Sequence, residues 1–233
     1  MLHAYPMRSV RSLVSIRLPC LFCGLKTSRD RVCRQCLDIL PRNVRFCIRC
    51  GQQVPGQAAG SVSCADCQAS PPVFDKARAP LLYEFPVDVV LKKLKFSRQT
   101  AFAAAFAEIM VPCLEAEFPD CDALVPVPLH AFRHFRRGFN QADEICRPVA
   151  KATGLPEIKC VKRRRATQPQ TGLDPAARRR NLAGAFAVTE SVRFRRPVIV
   201  DDVITTGATS SQLAGVLLEA GAERVGVLAV ARA

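Results

Sequence analysis

Apolar and polar positions in the last two thirds of the chain form short runs that predict strands and helices in turn. The strand predictions rest on compact apolar segments, and the helix predictions rest on apolar positions three or four residues apart. The predicted strands are residues 79–85, 123–127, 198–203 and 224–230. The predicted helices are residues 87–96, 99–118, 139–153 and 210–220, and the last two are expected to end at Gly154 and Gly221.

This alternation of strand and helix predicts an α/β fold with a mainly parallel sheet flanked by helices. Ligands of such sheets bind beyond the carboxyl ends of the strands. We therefore expect the functional residues in the loops that follow the strands.

The first third of the chain has a different pattern. Residues 1–19 are predicted to be a poorly ordered basic lead-in, residues 20–70 a cysteine-rich module, and residues 73–233 the α/β domain, with a turn at Ser70-Pro71-Pro72 as the boundary. No segment approaches the roughly twenty apolar residues of a membrane helix. The first nineteen residues also lack the compact apolar core and cleavage site of a signal peptide. The sequence therefore predicts neither export nor membrane insertion. The cysteines, which suggest metal ligands and buried thiols and not disulfides, predict a reducing, cytoplasmic compartment.

Residues 198–209 combine an apolar strand, two adjacent carboxylates and a hydroxyl-rich turn that leads into a helix. Backbone N–H groups, hydroxyls and the positive end of the helix all favour a phosphate at this turn, where Gly207 allows close approach. Asp201 and Asp202 would repel a bare phosphate, so we expect them to meet sugar hydroxyls or a magnesium ion. The predicted phosphate loop consists of Thr205, Thr206, Gly207, Ala208 and Thr209.

The same residues resemble the motif by which type I phosphoribosyltransferases bind 5-phosphoribosyl-1-pyrophosphate (PRPP). The resemblance implies that Asp201 and Asp202 are catalytic residues at the ribose hydroxyls and that the loop holds the 5-phosphate. It also implies magnesium-bound PRPP as the donor, with an acceptor that the sequence does not identify. Pro197 departs from the family's apolar residue at this position, but proline is tolerated at the start of a strand.

A second segment resembles the ComF (competence protein F) branch of these transferases. It reads Val125-Pro126-Val127-Pro128-Leu129-His130, followed by Arg137-Gly138-Phe139-Asn140-Gln141. The resemblance implies a pyrophosphate loop that includes Val125, Pro126, Val127 and Pro128, with Arg137, Asn140 and Gln141 near it. Arg137 could there neutralise a leaving pyrophosphate. The alternative is that the prolines end an edge strand and that Arg137 is a solvated surface charge.

The basic segment between residues 162 and 186 also resembles ComF proteins, at the position of the transferases' mobile hood. The implied hood residues, which would close over an anion, are Arg163, Arg165, Gln170, Arg178 and Asn181. The alternative is a solvated or nucleic-acid-attracting connection. Lys95 matches a further ComF position, but the glycine that commonly follows is absent, so Lys95 is not among the predicted site residues.

The charge of the chain favours an anionic ligand. The formal net charge is +14, and sixteen Lys and Arg residues face five acidic residues between Ala131 and Arg196. Phosphate, pyrophosphate and nucleic acid are all compatible with this excess.

Eight of the twelve cysteines form four Cys-x-x-Cys pairs. The pairs are Cys20 and Cys23, Cys33 and Cys36, Cys47 and Cys50, and Cys64 and Cys67. They predict two structural zinc sites, each with four thiolates. We expect the first four cysteines to bind one zinc and the last four the other, because the loops between them are short, although interleaved pairing remains open. ComF proteins often carry such a module, so the resemblance covers nearly the whole chain.

The predicted function is a PRPP-dependent phosphoribosyltransferase of the ComF type, associated with DNA uptake and natural transformation. Two alternatives remain open. One is a non-catalytic competence factor that contacts single-stranded DNA or DNA-uptake proteins, and the other is a regulator that senses PRPP without cleaving it.

Overall fold

The structure is a computed structural model that describes residues 19–26, 31–56, 62–97, 101–129, 138–163, 184–189 and 193–233. The predicted N-terminal lead-in lies outside these ranges, except for Pro19. In chain order the elements are α1 (Arg34–Ile39), α2 (Ala65–Ala69), β1 (Lys76–Arg78), β2 (Leu81–Leu82), α3 (Val87–Ser97), α4 (Ala101–Glu117), β3 (Ala123–Pro126), α5 (Gln141–Thr153), β4 (Val161–Arg163), β5 (Phe186–Val188), β6 (Pro197–Ile204), α6 (Ala208–Glu219) and β7 (Gly226–Arg232). Among the helices in the described ranges, none combines the length and apolar character needed to span a bilayer.

The central sheet is parallel, which confirms the predicted α/β architecture. Strand β7 pairs with β6 on one side and with β1 and β2 on the other, and β3 adds to the far side of β6. The predicted strand at residues 79–85 is wrong in its bounds, because two short strands, β1 and β2, flank Pro80 instead. Proline has no N–H group with which to continue a hydrogen-bonded ladder.

Both faces of the sheet are covered, and for this reason its central strands consist of nearly continuous apolar residues. Side chains alternate between the faces along each strand. Val200 and Leu228 pack among the residues of α3, α4 and α5, including Phe106. Ile199 and Val227 point the other way and pack against α6. The alternation buries β6 and β7 from both sides.

Local sequence signals account for the ends of the helices beside the site. Asn140 caps α5, since its Oδ1 accepts a hydrogen bond from the Ala142 N–H at 3.2 Å. Gly154 ends α5 in a left-handed conformation with φ of 73°, as predicted. Helix α6 starts two residues earlier than predicted, directly after Gly207, and ends just before Gly221.

An antiparallel hairpin that the sequence did not predict lies beside the main sheet. Its strands β4 and β5 pair Val161 with Val188 and Arg163 with Phe186. The two strands contain the first and last residues of the segment predicted as the hood, residues 162 and 186. The hood residues Arg165, Gln170, Arg178 and Asn181 lie outside the described residues.

The cysteine-rich module docks on the α/β domain at two places. Its first part contacts α4, where the rings of Phe22 and Phe106 meet edge to face at 6.3 Å between centroids. Its second part docks on β1, where the Ala77 N–H donates to the Arg49 carbonyl at 2.7 Å. A Cβ atom at Gly51 would lie 2.8 Å from the Ala77 oxygen, so only glycine permits this approach without a shift.

Candidate functional site

The carboxyl ends of β3 and β6 border a cavity of about 320 Å³. Three segments that the sequence predicted separately meet there. The described residues that line the cavity from these segments are Thr205, Gly207, Ala208 and Thr209 from the phosphate loop, Val127 and Pro128 from the pyrophosphate loop, and Arg163 from the hood, next to Asp201 and Asp202. The tertiary structure therefore gathers the predicted phosphate-binding groups around one space.

Within the described ranges, three residues predicted for the phosphate and pyrophosphate loops do not line the cavity. Val125 and Pro126 are buried within β3 and do not line the cavity. Thr206 is exposed, and its hydroxyl accepts a hydrogen bond from the Ala208 N–H at 3.4 Å, which shapes the turn. Arg137 lies outside the described residues.

The turn between β6 and α6 presents the amino end of a helix to the cavity. Gly207 has φ of 73°, in the left-handed region, directly before the first helical residue. A Cβ atom there would lie 3.5 Å from the Phe74 ring, an ordinary contact, so the requirement for glycine comes from the backbone conformation. Ala208, Thr209 and Ser210 line the cavity at the helix start, where N–H groups lack partners within the helix. Such a turn is suited to an anion.

The two carboxylates at the end of β6 form a tight group with a lysine from α3. Lys95 Nζ lies 2.5 Å from Asp202 Oδ2, and the Asp202 side chain is largely buried. Asp201 Oδ1 accepts a hydrogen bond from the Asp202 N–H at 2.8 Å. Lys95 is therefore a functional candidate. It was not among the predicted site residues, although it matches a ComF position.

The charges in this group shift one another's protonation. Removal from water raises the pKa of Asp201 well above its usual value, and the Asp202 charge adds to this effect, while Lys95 opposes it. Burial by itself would lower the pKa of Lys95, but the two aspartates outweigh burial and raise it. Lys95 is therefore a cation at neutral pH. The group can offer carboxylate oxygens to hydroxyls or to a divalent ion.

Asn140 holds the predicted pyrophosphate loop in place. Its Nδ2 donates to the Val127 carbonyl at 3.0 Å and to Asp143 Oδ1 at 2.7 Å. The Val127 N–H also donates to the Val200 carbonyl at 2.9 Å, which ties the loop to β6. Asn140 and Gln141 both line the cavity and are almost fully buried. The ComF resemblance implied that both residues lie near this loop, although they were not among the predicted site residues.

Arg163 brings a positive charge to the cavity from the hairpin. Its guanidinium lies 5.4 Å from the centroid of the Phe186 ring on the paired strand. This contact holds the side chain by a cation–π interaction. Tyr83 and Lys95 add to the lining of the same cavity.

The eight paired cysteines gather in two groups in the sequential order that was expected. The first consists of Cys20, Cys23, Cys33 and Cys36, and the second of Cys47, Cys50, Cys64 and Cys67. Within each group the sulfur atoms lie within 4.8 Å of one another. The Cys23 and Cys33 sulfurs are 3.7 Å apart, as are those of Cys50 and Cys64. Tetrahedral zinc with about 2.3 Å bonds would set sulfurs about 3.8 Å apart, so both groups fit such an ion.

Backbone N–H groups donate hydrogen bonds to sulfurs in both clusters. The Cys33 N–H donates to the Cys20 sulfur at 3.3 Å, and the Cys64 N–H donates to the Cys47 sulfur at 3.2 Å. Burial raises the pKa of Cys20, but the backbone hydrogen bonds together outweigh burial and lower the pKa to about 6. The thiolate, which is the form that binds zinc, is therefore favoured at Cys20, whereas burial raises the pKa of Cys36 and of Cys67.

Comparison with known proteins found relatives over nearly the whole chain. No family model matches the sequence. DNA utilization protein YhgH of Salmonella typhi is 35% identical over 214 residues, which cover 89% of this chain and 93% of the relative. Competence protein F of Haemophilus influenzae is 30% identical over 227 residues, which cover 92% and 96% of the two chains. Competence protein ComFC of Bacillus subtilis is 25% identical over 228 residues, which cover 88% and 90%.

Among solved structures, a glutamine PRPP amidotransferase from B. subtilis complexed with ADP and GMP overlaps with a TM-score of 0.36 and 21% identity. The overlap covers 55% of this chain and 26% of that chain. The sequence relatives are the stronger finding, since identities of 30% and 35% extend over most of both chains. The chain belongs to the family of DNA utilization protein YhgH and competence protein F.

Proposed function

We propose that this chain binds magnesium-bound PRPP in the cavity at the carboxyl edge of the sheet and transfers its phosphoribosyl group to an acceptor. One observation carries the proposal: two adjacent carboxylates and the amino end of α6 line the same cavity. A phosphorylated sugar has the matching chemistry, because it joins a phosphate to neighbouring hydroxyls. The motif from Val198 to Thr209 supports PRPP in particular, through its resemblance to the type I transferases.

The lining residues divide between the parts of this ligand. The 5-phosphate would be bound at the turn that begins with Thr205, and Asp201 would accept hydrogen bonds from ribose hydroxyls. The pyrophosphate would lie toward Pro128, with Arg163 and Lys95 as the described cations of the cavity. A guanidinium and an ammonium together can neutralise the charge that a leaving pyrophosphate gains.

Transfer requires the bond between the anomeric carbon and pyrophosphate to break as the acceptor forms its own bond to that carbon. The transition state has oxocarbenium character, so positioning and charge neutralisation are the chief contributions of the protein. Magnesium, when bound with PRPP, would supply further neutralisation of the pyrophosphate. The chain's own contribution is to hold the ribose at Asp201 and Asp202 and the leaving group at Arg163 and Lys95.

Contact with single-stranded DNA is a second candidate function. The net charge of +14 and the basic segment between Ala131 and Arg196 favour a polyanionic partner. The names of the relatives, DNA utilization protein and competence protein, point in the same direction. The two functions are compatible, because the cavity engages a small ligand and the basic segment a long one.

We also propose one structural zinc ion at each cysteine cluster. The four sulfurs of each cluster fill a tetrahedral shell, which leaves no position for a reactive water. Zinc would then stabilise the module and take no part in transfer.

The double change of Asp201 and Asp202 to Asn is expected to weaken binding of magnesium PRPP by at least about tenfold, because the neutral amides lose charge-assisted hydrogen bonds. Isothermal titration calorimetry would measure the affinity. Glu223→Gln is the matched control, since Glu223 pairs with Arg195 outside the cavity. Unchanged affinity in the double variant would remove the proposed site.

The affinity for PRPP should rise with pH as Asp201 loses its proton, because the carboxylate is the form that accepts hydroxyl hydrogen bonds. Lys95 favours the ionised carboxylate, so Lys95→Met should raise the pKa of Asp201 further and move this rise to higher pH. Titrations across a pH series would compare the variant with wild type and with Lys92→Met, whose lysine pairs with Asp88. A midpoint that stays in place or moves to lower pH would contradict the assigned role.

Elemental analysis of the purified, untagged protein should find about two zinc ions per chain, one for each four-thiolate cluster. Cys33→Ser and Cys64→Ser should each lose about one ion, because each change removes one of four ligands. Cys121→Ser serves as the control and should keep both, since Cys121 belongs to neither cluster. A folded protein without zinc would refute the assignment.

Single-stranded oligonucleotides should bind at low salt, with an affinity that falls steeply as salt rises, because each phosphate contact releases a counterion. Fluorescence anisotropy at several salt concentrations would measure this dependence. Absence of binding at the lowest salt would eliminate direct DNA contact and leave PRPP as the ligand to pursue.

A further inference from the structure

The second cysteine cluster is joined to the sheet through three consecutive carbonyl groups. They belong to Ile48, Arg49 and Cys50, within and at the end of the Cys47-x-x-Cys50 knuckle. Their donors are, in the same order, Arg78 Nη1 at 2.9 Å, the Ala77 N–H at 2.7 Å and Arg232 Nε at 3.2 Å. Each carbonyl is therefore held by a donor from β1 or β7.

Arg232 makes a second set of contacts through another nitrogen of its guanidinium, Nη1. Its Nη1 donates to the Ile204 carbonyl at 2.9 Å and also to the Thr205 carbonyl. Ile204 ends β6, and Thr205 begins the turn that lines the cavity. Only 5% of Arg232 is exposed, so these contacts are shielded from water. One buried side chain thus bridges the cysteine cluster and the phosphate loop.

Anchoring these carbonyls also orients the donors of the turn. A peptide unit is planar and trans, so a carbonyl and the N–H of the next residue point in opposite directions. Holding the Ile204 and Thr205 carbonyls therefore directs the N–H groups of Thr205 and Thr206 to the side of the turn away from Arg232. These N–H groups belong to the segment proposed to hold the 5-phosphate.

The contacts of Arg232 should depend on whether the second cluster is intact and on the charge that the cluster carries. Arg232 is a largely buried cation, and its Nε donates to the carbonyl of Cys50, which belongs to the second cluster. A zinc ion with four thiolates carries a net charge of about −2, which would stabilise an adjacent buried cation. The first cluster has no such link among the described residues and is anchored on α4 instead, through Phe22 and through the Arg31 N–H to Glu108 at 3.1 Å.

We propose that Arg232 is a positioning residue that makes the geometry of the phosphate loop depend on the second cysteine cluster. The ligand side of this inference rests on the proposed function. The mechanical link between cluster and loop is a property of the ligand-free protein and can be tested without PRPP.

Hydrogen exchange of the ligand-free protein tests the link directly. Arg232→Gln should speed amide exchange in residues 204–210 by about tenfold, as expected for loss of a charge-assisted hydrogen bond. Arg78→Gln is the matched control, because Arg78 holds the same knuckle at the Ile48 carbonyl but has no described contact with the turn. Equal exchange of the turn in wild type and Arg232→Gln would overturn the proposal. If Arg232→Gln does not fold, Arg232→Lys, which keeps the charge but cannot span both sets of carbonyls, takes its place.

Binding of two small ligands distinguishes a role of Arg232 in positioning the loop from a general loss of protein stability. Arg232→Gln should weaken binding of ribose 5-phosphate by about tenfold and leave binding of inorganic pyrophosphate near the wild-type value, since only the former needs the turn. An equal loss for both probes would show a merely structural role and contradict the proposal. If wild type binds neither probe, the proposed PRPP function fails, and the exchange experiment still decides the role of Arg232.

A third experiment compares hydrogen exchange after a cysteine change in each of the two clusters. Cys64→Ser, in the second cluster, should speed exchange in residues 204–210, whereas Cys33→Ser, in the first cluster, should speed it near α4 and not in the turn. Adding Arg232→Gln to Cys64→Ser should produce little further change, because both act through the same bridge. Equal effects of the two cysteine changes on the turn, or additive effects in the double variant, would refute the dependence on the second cluster.

Discussion

The parallel pairing of β6 between β3 and β7 is the constraint on which the whole site depends. In this register Val200 lies opposite both Pro126 and Leu228, and Ile204 lies opposite Arg232. The ends of three strands therefore lie together, and the loops that follow β3 and β6 border one cavity. A shift of one residue in β6 would turn each of its side chains to the other face and separate the carboxylates from Lys95. The geometry of the cavity thus follows from strand pairing more than from the loops themselves.

The cavity brings together acidic and basic side chains, each of which would be costly to bury without the others. Removal from water raises the pKa of Asp201, and repulsion from the adjacent Asp202 carboxylate adds to this effect. Lys95 offsets part of that repulsion at 2.5 Å from Asp202, while Arg163 and the start of α6 add positive potential. A ligand with anionic groups and neutral hydroxyls complements this mixture better than a simple phosphate does. This electrostatic pattern is the main physical support for a phosphorylated sugar.

The cysteine-rich module supports the α/β domain in addition to carrying two four-cysteine clusters that fit a zinc ion. Its first half packs on α4, and its second half supplies three carbonyls to the donors of β1 and β7. Buried arginines are suited to this role, because one guanidinium can satisfy several carbonyls at fixed angles. Arg78 and Arg232 are both nearly inaccessible to water, so they join the two parts of the molecule through strong hydrogen bonds.

The sequence by itself determined the features that depend on neighbouring residues: the alternating elements, the strand, acids and turn of residues 198–209, the left-handed position of Gly154, and the cysteine pairs. Local backbone preferences and spacing are sufficient for these. Only the tertiary structure decided that Lys95 meets Asp202, that Asn140 holds the Val127 carbonyl, and that Arg232 joins the Cys50 carbonyl to the end of β6. The split of the first edge strand at Pro80 and the β4–β5 hairpin also escaped prediction. Such contacts join residues far apart in the chain, and they depend on strand order and register, which an alternation of strand and helix leaves undetermined.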